Sequence, residues 1–442
     1  MNRLRRLWEA VRSSFWLVPL IFVGLSITAA AVLVEADSQS TSLALSRWPR
    51  LFGASAEGAR VMMSTIAGSM MSVVGVTFSS VLVALALASS QYSSRILRSF
   101  LSSRATQSVL GFFAGTFSYC LVVIRTIRSG DDGAFVPNLA VFFGFILAVC
   151  SVGILLFFIH HISSSIQASS IIASVAGEAL NAVDDLFPQP LATGSSDEPP
   201  GAPALENLAW RDIAANESGY IQKVDSVLLM RLAHRHELVI RMHHAMGEFV
   251  VEGTPLVAVA SGQPLSPSLV KPLQFAFTVS RFRTVEQDIA FGIRQLVDVA
   301  LKALSPGIND VSTAVTCIDY LTTVLVRLAS RSFPSPHRYV EGRLRIITQE
   351  RDFQTLLAEA FDQIRESSPG NTTILLRLLH SLQTIATCAV QPARREVLRG
   401  HVELVAELAS RSIDTAEQRL RVERRVLEAR AFFARAYETR VP

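Results

Sequence analysis

The sequence predicts a mainly α fold: four transmembrane helices followed by a cytoplasmic α+β domain, in which a small β-rich module precedes a helical bundle. Three observations lead there. Of 442 residues, 50% are hydrophobic and only 18% charged, against roughly 25% charged in an average soluble domain. The long apolar runs fall almost entirely within residues 1–160. Beyond them the apolar spacing changes from strand-like stretches around residues 218–260 to a helical period from about residue 284. The expected organisation is a four-helix membrane domain at 1–160, a helical stalk at 161–186, a flexible linker at 187–206, a mixed β-rich module at 207–280 and a helical cytoplasmic domain at 281–442.

A membrane-crossing helix needs about 20 mostly apolar residues. Residues 14–34, SFWLVPLIFVGLSITAAAVLV, satisfy this, as do 62–88, 108–127 and 136–159. Arg3, Arg5, Arg6 and Arg12 precede the first run. No small-residue cleavage site follows cleanly, so the run reads as a retained anchor. Orientation follows from arginines in short loops. The N-terminal tail and the loop at 89–107, with Arg95, Arg98 and Arg104 and no acid, form the arginine-rich side. The other loops mix Arg47, Arg50, Arg60, Arg125 and Arg128 with acids. Both termini are therefore expected in the cytoplasm.

The second span is unusually polar. Ser64, Gly68, Ser72 and Ser79 fall close to one helical face, and the third span carries Gly111 and Gly115 as a GxxxG. Small residues at this spacing let helix backbones approach, and hydroxyls can bond across such a contact. Spans two and three are therefore expected to pack through Gly68, Ser72, Gly111 and Gly115. Alternatively, the hydroxyl face of span two lines a polar pathway, and either arrangement suits a homo-oligomer. No acid or base sits mid-membrane in any span, which argues against a proton relay or an ion-coupled transporter.

After His160 and His161, the residues Ile162, Ile166, Ser169, Ala173, Ala176, Leu180 and Val183 make a weak heptad seam that could extend the fourth helix as a stalk. The stretch FPQPLATGSSDEPPGAPALE has the composition of a linker. In the module that follows, SGYIQKVD and ELVIRMHH read as strands around a short helix, and Gly247 and Gly253 mark turns. The pattern around those glycines resembles the hairpins of barrel-sandwich domains, without the attachment lysine such domains need. His234 and His236 would share a strand face, but no acid or cysteine spacing supports a metal site. No cofactor is expected.

The helical part opens with Ile289, Ile293, Leu296, Val297, Ala300, Leu301 and Leu304 on one stripe. It breaks at Ser305, Pro306 and Gly307, where proline discourages helix and glycine can take a left-handed turn. It restarts with Asn309 or Asp310 as the cap of the next helix. Ser305–Asp310 is thus a candidate polar corner, buried or half-buried, with Glu286, Asp288 and Arg294 on the incoming side. The segments at about 336–365, 370–390 and 393–437 read as further helices, the last a solvated amphipathic one rich in Arg and Glu.

Together these stretches resemble the bacterial membrane proteins grouped as domain of unknown function 2254. The likeness rests on TIAGSMMSVVGVTFSSVLVALALASSQYSSRILRSFL at 65–101, GFFAGTFSYCLVVIRTIR at 111–128, SGYIQKVD at 218–225 and EQDIAFGIRQLVDVALKALSPGIND at 286–310. The chain departs from the family's pattern at Ser94 and Val311, where proline is common. The resemblance implies a multi-pass protein of the inner membrane with a cytoplasmic C-terminal half, and it implies no reaction.

The net charge is +4, lysine occurs only at Lys223, Lys271 and Lys302, and basic residues are not clustered as in a nucleic-acid binder. The four cysteines form no CxxC pair, so neither a disulfide framework nor a zinc site is suggested. No nucleophile–base set or phosphate loop points to an enzyme. Two functions remain: an oligomeric channel or pore-like protein with a regulatory domain, or a membrane-anchored sensor or scaffold without transport. The lipid bilayer is the one partner the sequence specifies.

Overall fold

The computed structural model describes residues 16–39, 55–91, 104–128, 135–165, 167–187, 209–261, 266–285 and 287–438, which divide into two units at Ser170/Ile171. The linker expected at 187–206 (apart from Phe187), Ile166 of the heptad seam, Glu286, Ser94 and the arginines at 3, 5, 6, 12, 47, 50, 95 and 98 lie outside the described residues.

The first unit contains helices α1 (Leu17–Gln39), α2 (Ala56–Gln91), α3 (Arg104–Thr126) and α4 (Asn138–Ser165). All four are long and apolar enough to cross a membrane, and much of their apolar surface faces outward. At 36 residues, α2 spans roughly 54 Å, well beyond a hydrocarbon core of about 30 Å. Helix α3 is the central member and packs against the other three. Its Tyr119 is fully buried and donates its hydroxyl to the Ala140 carbonyl of α4 at 2.7 Å. At the end of α1, the Asp37 carboxylate accepts from the Leu139 and Ala140 amides at 2.8 and 3.3 Å, satisfying free N–H groups in the first turn of α4.

The GxxxG works differently from the expectation. Gly111 and Gly115 receive α1, not α2. A Cβ on Gly111 would lie 2.9 Å from the Phe22 ring and 3.0 Å from the Pro19 Cα, and one on Gly115 would lie 2.6 Å from Ser26 Oγ. Helix α2 meets the bundle through Ala59, Met63, Ala67 and Met70, leaving Gly68 and Ser72 exposed on its far side. The alanine–methionine stripe covers more apolar area than the serine stripe, so it takes the core.

The second unit begins with α5 (Ala168–Leu186), a helix separate from α4. Its apolar face, including Ile172, Val175, Ala179 and Val183, is buried within this unit. Asp184 pairs with Arg327 at 3.0 Å and also with Arg331. The segment expected as a stalk is thus two helices, and the second packs on its own domain.

Strands β1 (Trp210–Ala214), β2 (Gly219–Val224), β3 (Val239–Met242), β4 (Phe249–Val250), β5 (Pro255–Ala260) and β6 (Phe277–Ser280) follow, with the short helices α6 (Ser226–Arg235) and α7 (Val270–Phe275). The bundle contains α8 (Ile289–Leu304), α9 (Val311–Ala329), α10 (Phe353–Glu366), α11 (Thr372–Cys388), α12 (Pro392–Ser412) and α13 (Ala416–Glu438). Between α9 and α10 the chain forms a hairpin, β7 (His337–Val340) and β8 (Arg343–Ile347), where helix was expected. Strand β8 pairs in parallel with β3, giving a five-stranded sheet of order β1-β5-β3-β8-β7 beside a three-stranded sheet β4-β2-β6. Ile346 enters the same core as Ile240, Val257 and Leu229. A separate module at 207–280 therefore does not describe the packing, because its larger sheet is completed from within the helical region. Leu344 and Ile346 alternate with polar neighbours, and the β-branched Ile346-Ile347 suits a strand.

Four of the bundle helices start by one rule. Asp288, Asp310, Asp352 and Asn371 each accept from the amide three residues on. The single helix expected at 393–437 is two, α12 and α13, parted at residues 413–415; α13 buries Val422, Val426, Ala429 and Phe433 and exposes its charges.

Replacing both Gly111 and Gly115 by isoleucine should destabilise the membrane unit by several kcal/mol, at about 1–3 kcal/mol per overpacked site, whereas Gly68→Ile, with nothing within 4 Å, should leave the melting of the monomer in detergent unchanged. Equal melting of all three proteins would contradict the α1–α3 contact.

Candidate functional site

The corner after α8 is exposed: Ser305 is half-buried, and Pro306, Gly307, Ile308, Asn309 and Asp310 face solvent, against the burial expected from sequence. Its geometry is that of a capped turn. The Asp310 amide donates to the Ala303 carbonyl at 2.8 Å and the Asn309 amide to Ser305 at 2.9 Å. The Asp310 carboxylate accepts from the Thr313 amide at 3.0 Å and the Thr313 hydroxyl at 2.6 Å. These bonds, the hydroxyl's first, hold the Asp310 carboxyl below the usual carboxylate range. The left-handed residue is Asn309, with φ 50°, and not Gly307; asparagine tolerates that region better than most side chains.

Asp288 and Arg294 do not join this corner. Asp288 caps the opposite end of α8, a helix of 16 residues and so about 24 Å long. Arg294 pairs with Asp298 at 2.8 Å and donates to Gln363 at 2.8 Å. His234 and His236 sit in the last turn and C-cap of α6 rather than on a strand. His243 pairs with Asp212 at 2.8 Å and His244 with Glu248 at 3.3 Å. Among the described residues no three His, Cys, Asp or Glu side chains are grouped to hold a metal ion.

The most built polar site is the one around Asp288. Its side chain is 2% exposed. One oxygen takes Arg283, with Nη2 at 2.7 Å and Nε at 2.8 Å. The other takes Arg351 Nη1 at 3.0 Å and the Phe291 amide at 3.3 Å. Arg351 also donates to the Met246 carbonyl at 3.3 Å and pairs with Glu359 at 3.3 Å. Burial raises the Glu359 carboxyl above its ordinary range, against the pull of Arg351 and Arg283. Gly247, at φ +77°, runs its Cα directly against the Asp288 carboxylate, so any Cβ there would collide with it. One buried carboxylate thereby joins the turn before β4, the segment after β6, the start of α8 and the segment before α10. The sequence shows only the Asp288-x-x-Phe291 cap spacing. Arg283 and Arg351 arrive through tertiary structure.

On α2, the serine–glycine stripe lies outward. Ser64, Gly68, Ser72, Gly75 and Ser79 are all exposed, and Gly68 and Gly75 have nothing within 4 Å of an added Cβ. Ser64 and Ser72 donate to their own helix, to the Val61 and Gly68 carbonyls at 2.9 and 3.1 Å.

The two aspartate caps should respond differently to mutation. Asp288→Ala leaves two cations without their buried carboxylate and should cost about 3–5 kcal/mol. Asp310→Ala removes an exposed cap and should cost about 0.5–2 kcal/mol, with Asp310→Asn close to silent. Because its folded carboxyl titrates below the unfolded one, the contribution of Asp310 should be complete above the ordinary carboxylate range and fade as pH falls through the lower folded value. Urea titrations at neutral and acid pH check both; equal losses at the two positions would contradict the structure.

Comparison with known proteins agrees with a membrane location. A family described as predicted membrane protein, DUF2254, matches residues 12–384. Uncharacterized protein Rv1290c of Mycobacterium tuberculosis and uncharacterized protein Mb1321c of Mycobacterium bovis are each 31% identical over 429 residues, covering 96% of this chain and 81% of theirs. No solved structure matches. The chain belongs to the DUF2254 family of predicted membrane proteins.

Proposed function

We propose that the protein is a homo-oligomeric, pore-like channel of the bacterial inner membrane, with four spans, both termini in the cytoplasm and a cytoplasmic regulatory domain. The observation that carries it is the outward stripe of Ser64, Gly68, Ser72, Gly75 and Ser79 on α2. The stripe sits on a helix long and apolar enough to cross a membrane, and an added Cβ at Gly68 or Gly75 would have nothing within 4 Å. Small residues at this spacing permit close approach of another helix, and a second copy supplies that helix without an additional protein. When copies assemble, the hydroxyls of the same stripe are the polar groups available to face an aqueous path.

Five helices among the described residues are long and apolar enough to cross, and the fifth is α9. We assign it to the second unit's core. It is the least apolar of the five. Its Asp319 pairs with Arg377, its Arg327 pairs with Asp184, and its Cys317, Leu321 and Leu325 are fully buried among other helices. Two paired charges and an already covered apolar face suit a globular core better than lipid contact. The arginines of the tail and the first return loop support the orientation.

A sensor or scaffold without transport is the second reading, supported by the size of the second unit and by the polar site built around Asp288. Reconstitution in liposomes separates the two. Ion flux and a defined oligomer are expected from the native protein, with both lost in Gly68→Ile/Gly75→Ile while helix content stays native. An oligomer that conducts nothing would favour the sensor, and a monomer would overturn the stripe as an assembly surface.

A further inference from the structure

Beside the buried Asp288 cluster lies a half-enclosed cavity of about 190 Å3. Its apolar wall includes Phe187, Met246, Pro334 and Leu356. Its polar wall holds two ion pairs of different character. The inner pair, Asp288 with Arg351, is buried on the carboxylate side and braced by Arg283 and the Met246 carbonyl. The outer pair, Arg338 with Glu350 at 2.8 Å, is 40% and 29% exposed. A pair that open adds little net stability, so either partner is readily exchanged, while the inner pair is held in place.

The two cations and two anions on the wall are matched. An entering ion must therefore take over a partner, and the more open of the two cations, Arg338, presents a planar donor fork that suits a carboxylate. Helices α8 and α10 both begin at the cavity: Ile289 is the first residue of one, and Leu356 lies in the first turn of the other. Both of those ends already hold a carboxylate of their own as the cap, Asp288 and Asp352.

We propose that this cavity is a binding site for a small amphiphilic carboxylate, whose head replaces Glu350 on Arg338 and whose short apolar chain lies between Phe187, Met246, Pro334 and Leu356. Glu350 serves as an internal stand-in for that ligand. It also accepts from the Thr348 hydroxyl at 3.0 Å, so it keeps a partner when displaced. The site gives the second unit a metabolite-sensing role, and it does not depend on whether the membrane unit conducts.

The test is titration of the full-length protein in detergent with carboxyl-labelled hexanoate, followed by NMR, with hexanol and hexylamine as the uncharged and cationic controls. Saturable binding of hexanoate is expected, stronger than either control. Arg338→Gln should weaken it about tenfold, the scale of one charge-assisted hydrogen-bonded contact. Glu350→Gln, which removes the competitor and leaves the cation, should strengthen it several-fold. Leu186→Trp, which fills the cavity, should block it. Should Arg338→Gln fail to fold, the opposite-signed effect of Glu350→Gln still decides. No saturable binding, a preference for hexylamine, or an affinity indifferent to Glu350→Gln would overturn the proposal.

Discussion

The second unit depends on a single carboxylate placed where four chain segments meet. Asp288 is buried, yet it is satisfied on both oxygens by Arg283, Arg351 and the Phe291 amide. Burying an ion is costly unless it is paired and hydrogen-bonded, so the surroundings of Asp288 are tightly constrained. The turn before β4 must bring a glycine against it, and the segment before α10 must bring an arginine to it. Once those conditions hold, the small sheets and the first bundle helices are held in register with each other. The parallel pairing of β8 with β3 adds a second tie across the same junction.

Arginine does comparable work elsewhere in this unit. Arg394 is 5% exposed and donates to the Leu328, Ala329 and Arg331 carbonyls at 3.2, 2.8 and 2.8 Å. It thereby satisfies carbonyls at the C-terminal end of α9, where a cation also complements the helix dipole. Phe333 and Phe353 stack about its guanidinium, with centroids at 4.7 and 5.5 Å. Burial lowers the pKa of Arg394 from its ordinary value. The planar, multiply donating guanidinium suits such sites better than an ammonium, which gives structural meaning to a chain with so little lysine.

The membrane unit answers to a different constraint. In lipid there is no hydrophobic drive between helices, so close backbone approach and internal hydrogen bonds decide the packing. Gly111 and Gly115 admit α1, and Asp37 and Tyr119 tie α4 to the ends and middle of its neighbours. The serine–glycine stripe of α2 takes no part in this and stays exposed.

Much of this was legible in the sequence, because the relevant forces are local. Four apolar runs of sufficient length, strands at SGYIQKVD and ELVIRMHH, turns at Gly247 and Gly253, and a helix cap at Asn309 or Asp310 all follow from composition, period and backbone chemistry over a few residues. Other features lay beyond such reasoning because they are choices among partners. Gly111 and Gly115 announce a close contact, but only packing selected α1. The heptad after His161 announces an amphipathic helix, but only the folded unit decided that its apolar face would be buried at home. The strand β8 is short and lies inside a helical region, and it exists because β3 offers it an edge. The Asp288 site joins residues 247, 283, 288 and 351, which no periodicity links. Sequence alone determined which residues needed partners, since burial and capping are set by chemistry. Tertiary structure decided which partners they found, since that depends on distances the chain acquires only on folding.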